Sequence, residues 1–112
     1  MLITSLLLAL AAPSPTAAVD TSRAAFTKCL RDHLKKSLEG KMGDAEYEMA
    51  IKGACTAERT AFRQAVIALD RASGDSEADA TENADMQIDD YHVNFIEKFK
   101  DYSSTNTLPG DS

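Results

Sequence analysis

Two cysteines, Cys29 and Cys55, constrain this chain more than any other feature. They stand at mirror positions about a turn marked by Gly40 and Gly43. If two helices fold back through that turn, facing residues have numbers summing to about 84, and the cysteines meet that condition. Both also fall on the apolar stripes of their helices, so position and pattern agree. A Cys29–Cys55 disulfide is therefore expected, and it implies an oxidising compartment. Such a bridge contributes about 3 kcal/mol, mainly by restricting the unfolded chain. The alternative is a pair of free thiols in a reducing compartment.

Apolar residues at steps of three and four predict three helices. The first spans about Ser22 to Glu39, with Phe26, Cys29, Leu30, Leu34 and Leu38 on one side and Asp20 or Thr21 as its cap. The second spans about Ala45 to Ser73, capped by Asp44, with Tyr47, Ile51, Cys55, Phe62, Val66 and Leu69 on its stripe. Gly74 ends it. Gly53 lies inside it, at a cost of about 1 kcal/mol relative to Ala. The third spans about Glu77 to Tyr102, with Ala84, Ile88, Tyr91, Phe95 and Phe99 on its stripe. Ser76 and Asp79 resemble a capping box at its start. The tail, 103–112, is polar, contains Pro109 and Gly110, and is expected to be disordered.

The expected fold is all-α: a small three-helix antiparallel bundle with a disulfide-stapled hairpin. The first helix is the shortest, about 27 Å at 1.5 Å per residue. The other two then continue past it as a two-helix projection from about Arg63 to Met86. Its inner side holds Ala65, Val66 and Leu69; its outer side holds Asp75, Glu77, Asp79 and Glu82. Those residues form the expected partner surface, because an unfinished bundle leaves apolar area to cover.

Residues Leu2 to Ala12 form an apolar run of signal-peptide length, too short to span a bilayer. Pro13 and Pro15 are read as stopping any helix there. Thr16 and Ala18 are small, which fits cleavage after Ala18; a cut after Ala11 is the second choice. The expected domains are a 1–18 signal peptide, a 19–102 helical domain and the tail. No Lys or Arg precedes the apolar run, which is atypical of a signal. The expected location is periplasmic or secreted, with no stable membrane anchor after cleavage.

The net charge is −6. It argues against nucleic acid as a partner, which demands clustered Lys and Arg. The charge is uneven. Eight acids lie between Asp70 and Asp90 against Arg71 alone, whereas residues 19–63 hold nine bases and seven acids.

Few residues suggest chemistry. His33 and His92 lie on or beside apolar stripes, where a histidine is usually part of the core boundary. The hairpin register places His33 near Ile51 and Met49, away from Glu58. Glu58 falls on the second stripe and is the one carboxylate with the position of a general base. Its plainer reading is an ion pair with Arg23 or Arg59. Asp75, Glu77 and Asp79 alternate as in a calcium loop, but Ala80 and Met86 stand where Gly and Glu belong. No catalytic site, metal or cofactor is expected.

The build resembles in type the small periplasmic acid-stress chaperones, without a shared motif. The leading expectation is a non-enzymatic binding or structural module acting through an unknown protein partner or as a homodimer. An acid- or stress-responsive chaperone-like role comes second, and an enzyme using Glu58 with His33 or His92 comes last.

Overall fold

The computed structural model describes residues 14–110. The leader core, Leu2 to Ala12, and the last two residues of the tail lie outside them. The described residues form four helices and no strand: α1 (Pro15–Glu39), α2 (Asp44–Gly53), α3 (Thr56–Ala72) and α4 (Glu77–Thr105). The all-helical class follows from the apolar periodicity. The number and extent of the helices differ from expectation in three places.

First, α1 begins at Pro15, not near Ser22. Proline cannot continue a helix but is well suited to start one, because the first turn has unpaired N–H groups anyway. Ser14 completes the start: its hydroxyl accepts from the Ala17 N–H at 3.2 Å. The proline read as a stop is thus the first residue of the helix. The added turns bring Val19 into the core at 4 % exposure. Cys29 bonds Cys55 and Phe26 stacks on Phe62, so α1 and α3 run in opposite directions. On that register Val19 lies opposite the end of α3 near Leu69. The two-helix projection expected from Arg63 to Met86 is therefore covered by the start of α1 over much of its length.

Second, the expected second helix is two helices. Ala54 is extended and Cys55 takes the left-handed conformation, φ 57°. The break follows Gly53, the weakest helix former in the segment. Side chains of α3 take up carbonyls freed at the end of α2. Thr56 donates its hydroxyl to the Gly53 carbonyl at 3.1 Å, and Arg59 donates to the Lys52 carbonyl. The break separates the packing duties. α2 lies chiefly against α4, where Tyr47 stacks on Phe99 at 4.1 Å. α3 lies against α1 and α4.

Third, α4 ends at Thr105 rather than Tyr102, so the expected disordered tail begins as the last turn of a helix. Residues 107–110 have no regular structure.

The ends of α1, α3 and α4 share one device. After α3, Gly74 is left-handed at φ 102°, the Asp75 N–H donates to the Asp70 carbonyl, and the Gly74 N–H donates to the Arg71 carbonyl. This is the glycine stop expected there. After α1 the same pair of bonds forms around Lys41, not Gly40: Met42 donates to Ser37 and Lys41 to Leu38. After α4 it forms around Asn106. At the start of α4, Ser76 accepts from the Asp79 N–H at 3.1 Å, one half of the expected capping box.

Phe26, Leu30, Tyr47, Ile51, Phe62 and Phe99 are the largest fully buried side chains. Phe26 stacks on Phe62, and Tyr91 meets both edge-on, which locks α1, α3 and α4 at one level. Arg63 donates to Asp85 at 2.8 Å and Asn83 to Asp70 at 2.6 Å, fixing α3 against α4. No helix among the described residues is long and apolar enough to cross a membrane.

Candidate functional site

Two regions carry chemistry: a cleft at the disulfide and the outward face of α4. The cleft lies between α1 and the start of α3. The Cys29–Cys55 bridge, with Cα atoms 5.9 Å apart, forms its floor. Lys28, Asp32, His33, Lys36 and Glu58 surround it. The 29/55 pairing matches the hairpin register, although the helix bearing Cys55 is not continuous with α2. Lys28 donates to Asp32 at 2.9 Å, and this bond holds the Asp32 carboxyl below the usual carboxylate range.

Glu58 lies in the first turn of α3, one turn past Cys55. Neither expected ion pair forms: Arg23 pairs with Asp20, and Arg59 is turned toward Lys52. Glu58 stands instead with a carboxylate oxygen and both cysteine sulfurs all within 4.8 Å of one another. The expected separation of His33 from Glu58 is also corrected, since both line this cleft. The reason is the chain break: without the bend at Cys55, the start of α3 would continue the axis of α2.

Both histidines sit at helix contacts. His33 stacks on Tyr47 at 5.5 Å, and its Nδ1 is buried without a hydrogen-bond partner. Burial pushes its pKa down. His92 is buried in α4, edge-on to Phe26, with Nε2 likewise unpartnered. Burial lowers its pKa first; Arg59 and Lys52 add to this, and Asp89 opposes it. The Tyr47 hydroxyl is a third buried group without a partner, and burial pushes its pKa up to about 12. Unpaired buried polar groups destabilise a fold and so mark points where it responds to conditions.

The expected partner surface is divided. Val66 is 2 % exposed and belongs to the core, while Ala65 and Leu69 are half-buried against it. Burial by the start of α1 removes these three from any continuous outer patch. Asp75, Glu77, Asp79 and Glu82 are exposed, as expected. The large exposed apolar residues among those described are different ones: Met49 at 79 % on α2, Leu108 at 51 % beyond α4, and a pair on α4 itself, Met86 at 57 % and Val93 at 54 %. Met86 and Val93 stand two turns apart on one helix face. Asp79, Glu82, Asp89, Asp90, Glu97 and Lys100 share or flank that face, and all are exposed. The signal was present in the sequence, since Met86 and Val93 are apolar residues off the predicted core stripe.

No protein-family model, curated protein or solved structure matches this chain.

Proposed function

We propose that this chain is an exported, non-enzymatic helical binding module that engages a protein partner through the outward face of α4. We propose also that its architecture is a three-helix antiparallel bundle, in which α2 and α3 together fill the place of the middle helix. The observation that carries the binding reading is the exposure of Met86 and Val93 within an acidic setting. Five acids against one lysine on or beside that face disfavour pairing with an identical face near neutrality. They favour an amphipathic partner that brings apolar side chains ringed by Lys and Arg. Export is supported by the apolar leader and by the disulfide.

The test uses a basic amphipathic model helix and calorimetry on the full chain. Binding that weakens with salt, and is lost in the Met86→Asp/Val93→Asp double variant, is expected. Equal affinity in wild type and variant rejects α4 as the surface. Sedimentation of the same samples distinguishes heterologous binding from a homodimer.

The acid-responsive, chaperone-like reading is the second. The buried, unpartnered ring nitrogens His33 Nδ1 and His92 Nε2 favour it, because protonation there opposes packing at the interfaces that hold α1, α2 and α4 together. The enzyme reading through Glu58 ranks below both.

A further inference from the structure

We infer that Cys29, Cys55 and Glu58 become a three-ligand site for a zinc-type divalent cation when the disulfide is reduced. The inference is independent of the α4 surface. It starts from the convergence of three donors from two helices, with ligand atoms within 4.8 Å of one another. A bonded disulfide does not ligate a metal; the thiolates do. The expectation that this chain binds no metal therefore does not extend to its reduced form. Bridge and metal exclude each other, which makes the site redox-gated.

The chemistry balances as follows. A dithiol reductant delivers two electrons and two protons to the Cys29–Cys55 bond and leaves as its own disulfide. The S–S bond breaks and two thiols form. The cation then accepts a lone pair from each sulfur and one from the Glu58 carboxylate, and two thiol protons pass to solvent. Thiolates on tetrahedral zinc lie about 3.8 Å apart, given Zn–S bonds of about 2.3 Å. The Cα separation of 5.9 Å leaves that adjustment to side-chain rotation.

Three further features fit this use. Phe26 and Phe62 hold α1 against α3 one turn or two from the cysteines, so the frame does not rest on the bridge alone. Cys55 sits at the amino end of α3, where the helix dipole favours a thiolate. Cysteines and Glu58 are half-buried and face the open cleft, so the fourth position is reachable by water or a small donor. His33 lines that cleft beside it, and its depressed pKa keeps it neutral near pH 7.

The test is a cobalt titration of the full chain, kept reduced with a phosphine, with helix content followed by circular dichroism. One equivalent of cobalt is expected to give thiolate charge-transfer absorption, to release two protons per metal below the thiol pKa, and to be displaced by zinc. The oxidised chain is expected to give none of this. Glu58→Gln is expected to weaken binding about tenfold or more. Cys29→Ser and Cys55→Ser are each expected to reduce the charge-transfer band. If the reduced chain loses helix, zinc is expected to restore it. Absence of the band in a helical reduced chain overturns the inference, as does failure of zinc to restore an unfolded one. Unchanged affinity in Glu58→Gln also overturns it, because two thiolates alone would then account for the binding.

Discussion

Tyr47 is fully buried, stacks in parallel on Phe99, and hides a hydroxyl with no partner. Its ring supports the fold and its oxygen opposes it, since a buried unpaired hydroxyl costs about 1–3 kcal/mol. Tyr47→Phe keeps the ring and removes the oxygen. It is expected to raise stability by about 1 kcal/mol, read as a higher urea midpoint with an unchanged slope. His92 poses the opposite case, a group that turns unfavourable when it gains a proton. Its folded pKa lies below the ordinary histidine value. The unfolded chain therefore takes up the proton first as pH falls from about 6.5. Stability is full above that value and declines as pH drops toward the folded pKa. His92→Leu is expected to flatten stability between pH 7 and 5. An unaltered pH slope in that variant assigns the effect elsewhere, with His33 the next candidate for the same reason.

At the scale of the element, the bend at Cys55 decides where everything else goes. It turns α2 toward α4 and α3 toward α1, and it brings Glu58 and His33 to the disulfide. A left-handed, non-glycine residue costs about 1–2 kcal/mol, and glycine removes that cost. With the bridge eliminated by Cys29→Ala, a glycine at position 55 is expected to be about 1 kcal/mol more stable than an alanine there. Equal stability would mean that the bend relaxes once the bridge is gone. The amino end of α1 is the second decisive element. Val19 is buried, and Ser14 and Pro15 set the start of its helix one turn ahead of it. A chain starting at Val19, as the proposed cleavage after Ala18 would leave it, lacks that cap but still carries the Val19 contact. A chain starting at Arg23 loses it, and faster hydrogen exchange is expected around Val66 and Leu69. Uniform exchange in both chains would show that the first turns of α1 add nothing there.

Across the whole molecule, acid changes the sign of the charge. With carboxylates neutral and both histidines charged, the side chains sum to +14, from −6 near neutrality. The change centres near pH 4, where carboxylates titrate. The Arg63–Asp85 pair persists below that range, because the guanidinium holds the Asp85 carboxyl low. Its loss and the protonation of both histidines weaken α3 against α4 and α1 against its neighbours. A compact, partly helical state that binds an apolar dye is expected at pH 2 to 3, with the disulfide keeping the hairpin joined. Near-ultraviolet dichroism and dye fluorescence across pH 7 to 2 check it. A native signal throughout removes the chaperone-like reading and leaves the binding module.

The helical class, the paired cysteines and the stop at Gly74 were legible from the sequence. The helical class and the Gly74 stop depend on local spacing or on a residue's own conformational limits; the cysteine pairing needs in addition only that two helices fold back through the turn at 40–43. The α1 start was written in the sequence too, but Pro15 was ambiguous, because proline both ends helices and begins them. The break of the middle helix was not legible in the same way. Gly53 weakens a helix without forcing a bend, and the apolar steps run on across Cys55 undisturbed. Only tertiary contacts choose the bend, by placing Tyr47 on Phe99 and Phe62 on Phe26 while Cys55 reaches Cys29. The candidate site follows the same division. Glu58 stood out as a carboxylate on an apolar stripe, whereas its meeting with both cysteines and His33 depends on a backbone turn that packing, not periodicity, selects.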